Sequence, residues 1–152
     1  MIGLELAAFL EQGVGIHIGT RNDQLHPSGA RAVAAKVEGG GSHLVVYVAE
    51  IAAVRLRADL ESNGQAAVVF GRPEDERSCQ VKGVLVEIRS ATDSERPMLQ
   101  KQWDGFLTQL EMIGIPRVSA TNWTTWPAVA IRLKVTTIFE QTPGPQAGVQ
   151  IA

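Results

Sequence analysis

Ser78, Gln80 and Lys82 alternate along the segment RSCQVKG, residues 77–83. At the two-residue period of a β-strand they share one face, while Cys79 and Val81 share the other. A hydroxyl, an amide and an ammonium in a row either meet water or line a site for a ligand rich in donors and acceptors. Arg31 and Lys36 add two cations on a predicted strand. Being five residues apart, they point to opposite faces of a regular strand, and reach one ligand only if the strand is bulged or ends between them. Arg55 and Arg57 lie in a helical stretch, where by themselves they read as solvated charges. Trp123 and Trp126, three apart in a loop, are spaced to clasp a flat ring or to plug a subunit seam.

Other chemistry is not spelled out. The glycine-rich stretches GVGIHIG and EGGGSH lack the spacing and the lysine of nucleotide loops, and both lead into a strand instead of a helix. His17, His26 and His43 have neither metal-ligand spacing nor companion cysteines, so no metal site is expected. No G-x-S-x-G nucleophile elbow occurs, and no side chain declares itself a general acid or base.

The bulk numbers narrow the class. A chain of 152 residues with 45% hydrophobic content is the size of one globular domain. Its formal charge of −2 at pH 7 carries no basic footprint, so no nucleic-acid partner is expected. Cys79 is the single cysteine, which rules out an internal disulfide and fits a reducing compartment. The opening MIGLELAAFLEQG has Glu5 and Glu11 and no basic n-region, unlike a signal peptide. No apolar run approaches the ~20 residues of a membrane span. A soluble, cytoplasmic protein without a membrane partner is expected.

The elements follow from periodicity. A short helix is predicted over 4–12, stopped at Gly13, and then strands over 14–20, 29–37 and 43–48 as a meander. The last of these, HLVVYV, is almost wholly apolar; its Tyr47 reads as packing. A helix over 50–63 carries the stripe Ala53, Leu56 and Leu60 and closes at Asn63-Gly64. QAAVVFG and RSCQVKGVLVEIR are two further strands. The switch from odd to even apolar positions at Gly83 predicts a bulge there. Thr92 and Glu95 form a capping box ahead of a helix with the stripe Leu99, Trp103, Phe106, Leu110 and Ile113. The last strand is predicted over 128–139, and the tail QTPGPQAGVQIA shows no packing pattern. Six strands and two main helices without a βαβ rhythm predict a mainly β protein, a six-stranded antiparallel barrel with appended helices. Residues 1–140 form the single barrel domain and 141–152 the C-terminal tail.

The order RAVAAK strand, LVVYV strand, helix, AAVVF strand, RSCQVKG strand, helix, WPAVAIRLKV strand and QTPGPQAG tail resembles the pyridoxamine 5′-phosphate oxidase-like, FMN-binding split β-barrels. The resemblance runs from about Val14 to Gly148. It is closest to the small flavoproteins of that superfamily that carry similar RPxxxRSxQxKG and FxQTPGPxAG segments. It implies a homodimer with FMN in a groove between subunits. By the same resemblance Arg31 and Lys36, with Arg55 or Arg57 in support, would meet the phosphate. Ser78 and Gln80 would orient the flavin ring, Lys82 would stabilise charge developing on reduction, and Trp126 would line the cofactor site. Oxidoreductase activity on a small molecule is the implied function. Two departures weigh against pyridoxamine phosphate oxidation itself. The Ser-Arg-Lys cluster that opens the helix after the third strand in the oxidases is replaced here by Ala52-Ala53-Val54, and the oxidases' C-terminal tryptophan-to-arginine pattern is absent. The alternatives are a non-catalytic module for flavin, deazaflavin or haem, and a split-barrel scaffold that has lost its cofactor.

Overall fold

The first hairpin turns on Asn22, whose side-chain oxygen accepts from the backbone N–H of Gln24 and of His26, both at 2.9 Å. That local cage pins β1 (Gly15–Arg21) against β2 (Pro27–Glu38) with Arg21 opposite Pro27. The computed structural model describes residues 1–152. It adds β3 (His43–Ala49), β4 (Gln65–Gly71), β5 (Ser78–Ser90) and β6 (Ala128–Glu140). These six strands close into an antiparallel barrel in the order β1-β2-β3-β6-β5-β4. Three helices are appended: α1 (Leu4–Glu11), α2 (Val54–Asn63) and α3 (Arg96–Met112). The architecture is the mainly β split barrel that the sequence predicts. No helix is long and apolar enough to cross a membrane.

Alternation fills the barrel. Ile16, Ile18, Val68, Phe70, Val81 and Leu133 point inward and are at most 1% exposed, with Phe9 and Leu10 of α1 and Leu56 and Leu60 of α2 in the same core. Burying each such side chain contributes about 1.5–3 kcal/mol, so these positions dominate the stability of the barrel. A second core forms outside it. Leu99, Trp103, Phe106 and Leu110 of α3 lie over Val33 and Ala34 of β2, Val45 and Tyr47 of β3, and Ala130 of β6. β3 is thus covered on both faces, which is why its sequence is an unbroken apolar run. The Tyr47 hydroxyl escapes isolation by donating to Glu95 Oε1 at 2.7 Å.

β1 pairs with β2 only as far as Ala32, whereas β2 runs on to Glu38. The uncovered edge receives side chains instead of a strand: the Val37 N–H donates to Glu11 Oε1 at 2.6 Å. α1 can approach so closely because Gly13 packs on α3, where a Cβ would lie 2.5 Å from the Gln102 carbonyl oxygen.

Four expectations change in detail. The 50–63 helix is broken, a 3-10 turn over Glu50–Ala52 followed by α2 from Val54, although Ala53, Leu56 and Leu60 are buried as expected. Ile113 lies beyond the end of α3 and is 48% exposed, because the helix there has run past the sheet it covers. The register does shift between Lys82 and Gly83, but the extra residue is Thr136 on β6. β5 therefore keeps its phase: Leu85 packs against the core, whereas Val84 and Val86 face outward at 45% and 48% exposure. Its own extra residue comes later, in the shift between Leu85 and Glu87. Finally, the tail is not loose, since the Gly148 N–H donates to the Glu140 carbonyl at 2.7 Å and the Ile151 N–H to the Ile138 carbonyl at 2.8 Å.

Candidate functional site

With Arg21 opposite Pro27, each step back along β1 matches a step forward along β2, so Gly19 faces Gly29 and His17 faces Arg31. The ladder continues from His17 to Val69 of β4, from Val69 to Gln80 of β5, and from Gln80 to Phe139 of β6. One row across the outer face is therefore Arg31, His17, Val69, Gln80 and Phe139. The next row is Gly29, Gly19, Ala67, Lys82 and Thr137. At the usual interstrand spacing, Arg31 to Gln80 spans roughly 14 Å. Gly29, Gly19 and Ala67 leave the second row nearly bare, which makes a flat floor beside a polar wall. A Cβ on Gly19 would meet nothing nearer than the carbonyl oxygens of Ala67 and Ser28 at 3.9 Å, so the floor is open.

A depression of about 560 Å³ lies over this floor, lined by His17, Gly19, Gly29, Arg31, Ala67 and Gln80. A second, of about 310 Å³, shares Gly29 and Arg31 and extends to Ala52, Trp103 and Trp123. A third, of about 490 Å³, shares Gly19 and Ala67 and extends to Lys82, Val84 and Thr136. Each is in the size range of small-molecule sites, and together they form one groove.

Arg31 sits where two of the depressions meet. Its guanidinium carbon is 4.2 Å from the Trp123 ring centroid and 5.4 Å from that of Phe106. It takes part in none of the ion pairs of the chain. Partial burial lowers its pKa, yet an arginine stays charged. A guanidinium stacked on an indole and free of any carboxylate is a ready receptor for an anion. The His17 ring is exposed and lines the depression over the floor. Burial first, and the Arg31 charge second, hold its pKa below the ordinary histidine value. The rings of His26 and His43 have hydrogen-bond partners in Asn22 and Ser42; the His17 ring has none.

The remaining sequence candidates are dispersed. The register slips between Ala32 and Ala34, and this bulge puts Lys36 on the same outer face as Arg31. α3 covers Val33 and Ala34 between them, however, and Lys36 Nζ pairs with Glu38 at 3.1 Å. Arg55 and Arg57 are exposed on α2, outside the residues that line the groove, while Ala52 lines it. Ser78 turns toward the tail: its N–H donates to Thr142 Oγ1 at 3.0 Å and its hydroxyl to the Glu76 carbonyl at 3.2 Å. Gln80 lines the groove, and Lys82 lines its far arm with Nζ 4.8 Å from the Phe139 ring centroid. Trp126 packs against the α3 core under the Arg96 guanidinium, 5.2 Å from its ring centroid, away from Arg31. Of the polar face of RSCQVKG, then, Gln80 and Lys82 line this groove, while Ser78 lines a separate depression of about 400 Å³ beside α1 and the tail.

His17 and the glycine floor are what sequence reasoning missed. A signal existed in the loop. Once Asn22–His26 is taken as the hairpin connection, counting outward sets 17 against 31 and 19 against 29.

The sequence matches no protein-family model and no curated protein. Solved structures do match. The HupZ protein of Group A Streptococcus superimposes with a TM-score of 0.58 at 17% identity, over 97% of this chain and 100% of that one. A candidate pyridoxamine 5′-phosphate oxidase from Lactobacillus delbrueckii gives 0.55 at 14% identity, over 89% and 91%. An FMN-binding protein from Syntrophomonas wolfei gives 0.53 at 11% identity, over 88% and 81%. The chain shares the split-barrel fold of these proteins.

Proposed function

We propose that this chain is a cytoplasmic, homodimeric flavoprotein that holds FMN non-covalently on the outer face of the barrel and uses it for redox chemistry on a small molecule. The observation that carries this reading is Arg31, a guanidinium with no carboxylate partner, beside a floor of Gly19, Gly29 and Ala67. The flat floor suits a planar ring, and the Gln80 amide suits the alternating donors and acceptors of its edge. One of the similar structures is FMN-binding, which supports the choice of cofactor. The phosphate has fewer cations here than the sequence suggests, Arg31 being the one that lines the groove near Ala52. α2 begins two residues beyond Ala52 with no side-chain cap, so its first N–H groups would be available to a phosphate at that end of the groove in place of the missing cluster. Bound there, the flavin would accept and pass on a hydride, while Lys82 would stabilise negative charge on the reduced ring.

Dimerisation is proposed from the same face. Val84 and Val86 point outward from β5 where a polar strand face is the norm, and Val84 lines the groove. A second copy laid there would cover them and close the groove. The lone thiol of Cys79, buried and pushed up to about 12 by that burial, is unreactive and suits a reducing compartment.

The test is the absorption spectrum of the purified protein, followed by calorimetric titration with FMN and light scattering. A yellow protein that bleaches with reductant and recovers in air, with twice the 16.3 kDa chain mass, is the expected result. A colourless protein that ignores FMN overturns the flavin reading. The bareness of Ala52-Ala53-Val54 favours a second reading, a split-barrel scaffold that has lost its cofactor. A folded protein that takes up neither FMN nor any other chromophore would select it.

A further inference from the structure

We propose that His17 and Arg31 form a proton-linked anion clamp, in which a dianionic group seated on the Arg31 guanidinium draws a proton onto the His17 ring and is then held by both. The inference deepens the flavin reading and rests on its assignment of the groove, naming a phosphate- or sulfate-like dianion as what this wall recognises.

Geometry is the ground for it. His17 and Arg31 are direct cross-strand partners, and both line the depression of about 560 Å³. Cross-strand partners in an antiparallel pair have Cβ atoms roughly 5 Å apart, close enough to hold one small anion between their tips. Neither side chain has a competing carboxylate. The charged group beside the imidazole is Arg31 from β2; β4 offers Val69 and Ala67, α3 offers Phe106 near Arg31, and Gln80 and Lys82 of β5 lie two strands away. Partial burial and the neighbouring guanidinium together favour the neutral imidazole in the free protein. An anion on Arg31 reverses that balance: it cancels the neighbouring charge and adds an attraction for imidazolium, whose two N–H groups then both donate.

The consequence has a sign. The bound state has the higher His17 pKa, so binding takes up a proton and strengthens as pH falls, until the free protein is itself protonated. Each unit of difference between the two values is a tenfold change in affinity.

Inorganic sulfate is the probe, because its charge is constant across this range and its binding does not depend on any flavin. The His17 ring resonance is titrated by NMR with and without saturating sulfate, with His26 and His43 as internal controls. Sulfate affinity is measured in parallel at about pH 5.5 and pH 7.5, either side of the ordinary histidine value. We expect sulfate to raise the His17 pKa by about one unit, and affinity to be about tenfold greater at the lower pH. His17→Gln is expected to keep residual binding and lose its pH dependence. Arg31→Gln is expected to abolish binding and raise the His17 pKa of the free protein. No sulfate binding, a His17 titration that saturating sulfate leaves unmoved, or a His17→Gln protein that keeps its pH dependence overturns the inference. A protein that ignores FMN but shows the linked titration loses the flavin reading and keeps the clamp. One that binds FMN with His17 unmoved by sulfate does the reverse.

Discussion

The side-chain amide of Gln102 bridges both backbone groups of Ala35, accepting from its N–H at 2.9 Å and donating to its carbonyl at 2.8 Å. Both residues are buried, Ala35 completely. β1 has ended by this point, so a glutamine on α3 stands in for the missing strand and ties the helix to the barrel edge that runs past Arg31.

Replacing that amide removes the stand-in. Gln102→Leu leaves two buried backbone groups unsatisfied, at about 1–3 kcal/mol each, and is expected to destabilise the fold by roughly 2–6 kcal/mol. Thermal unfolding should shift down by roughly 5–20 °C for a chain of this size. A midpoint unchanged from the parent would show that the amide is dispensable.

Arg31→Ala removes the cation of the groove and uncovers Trp123. FMN affinity is expected to fall tenfold or more, about 1.4 kcal/mol, with a changed tryptophan emission and little change in stability. Calorimetry that returns the parent affinity would refute the role assigned to Arg31.

Gly19→Val tests the floor independently of charge. Its Cβ has room, with nearest atoms at 3.9 Å, and a β-branched residue favours a strand over glycine. The variant is expected to unfold at the same or a higher denaturant concentration while FMN binding weakens at least tenfold. Parent-like binding would place the ring somewhere other than over Gly19.

Acid should loosen the outer core. The Arg89 guanidinium, bonded to Glu95 at 2.7 and 2.9 Å, holds the Glu95 carboxyl far below the usual carboxylate range, with Thr92 and Tyr47 adding hydrogen bonds. Because the folded-state pKa is depressed, the stabilisation is complete above the unfolded-state value of about 4.3 and is lost as pH falls below it through the folded value. Urea midpoints measured through that window should decline for the parent and less steeply for Glu95→Gln. Equal slopes would mean that the carboxylates elsewhere, such as Asp75 held at about 2 by Arg72, account for the whole acid limb.

Most of the barrel was legible because burial leaves a periodic trace. The apolar run of β3 and the spaced stripe Leu99, Trp103, Phe106 and Leu110 both name their buried faces. Register leaves no such trace. Val84 and Val86 read as a change of phase because outward valines look like inward ones, and the extra residue, Thr136, was on the neighbouring strand. Val33 and Ala34 likewise carry no mark of the slip between them. The site inherits this limit: Arg31 and Gln80 were recognisable as polar residues on strands, but His17 becomes interesting only once its cross-strand neighbour is known. Arg55 and Arg57 required the position of α2 relative to the groove, which no local pattern encodes.

The slip in β2 gives that segment an arithmetic of its own. Ala32 and Ala35 point into the barrel with two residues, not one, between them, and the outward Val33 and Ala34 meet α3. Deleting Val33 alone would set Ala32 and Ala34 against Val48 and Tyr47 without a break, leaving Ala35 inward and Lys36 outward as they are. What it would remove is one of the two neighbouring outward side chains that meet α3. Along a lineage of such chains, this stretch should therefore accept the loss of that one residue without a change of register, at the expense of its grip on α3.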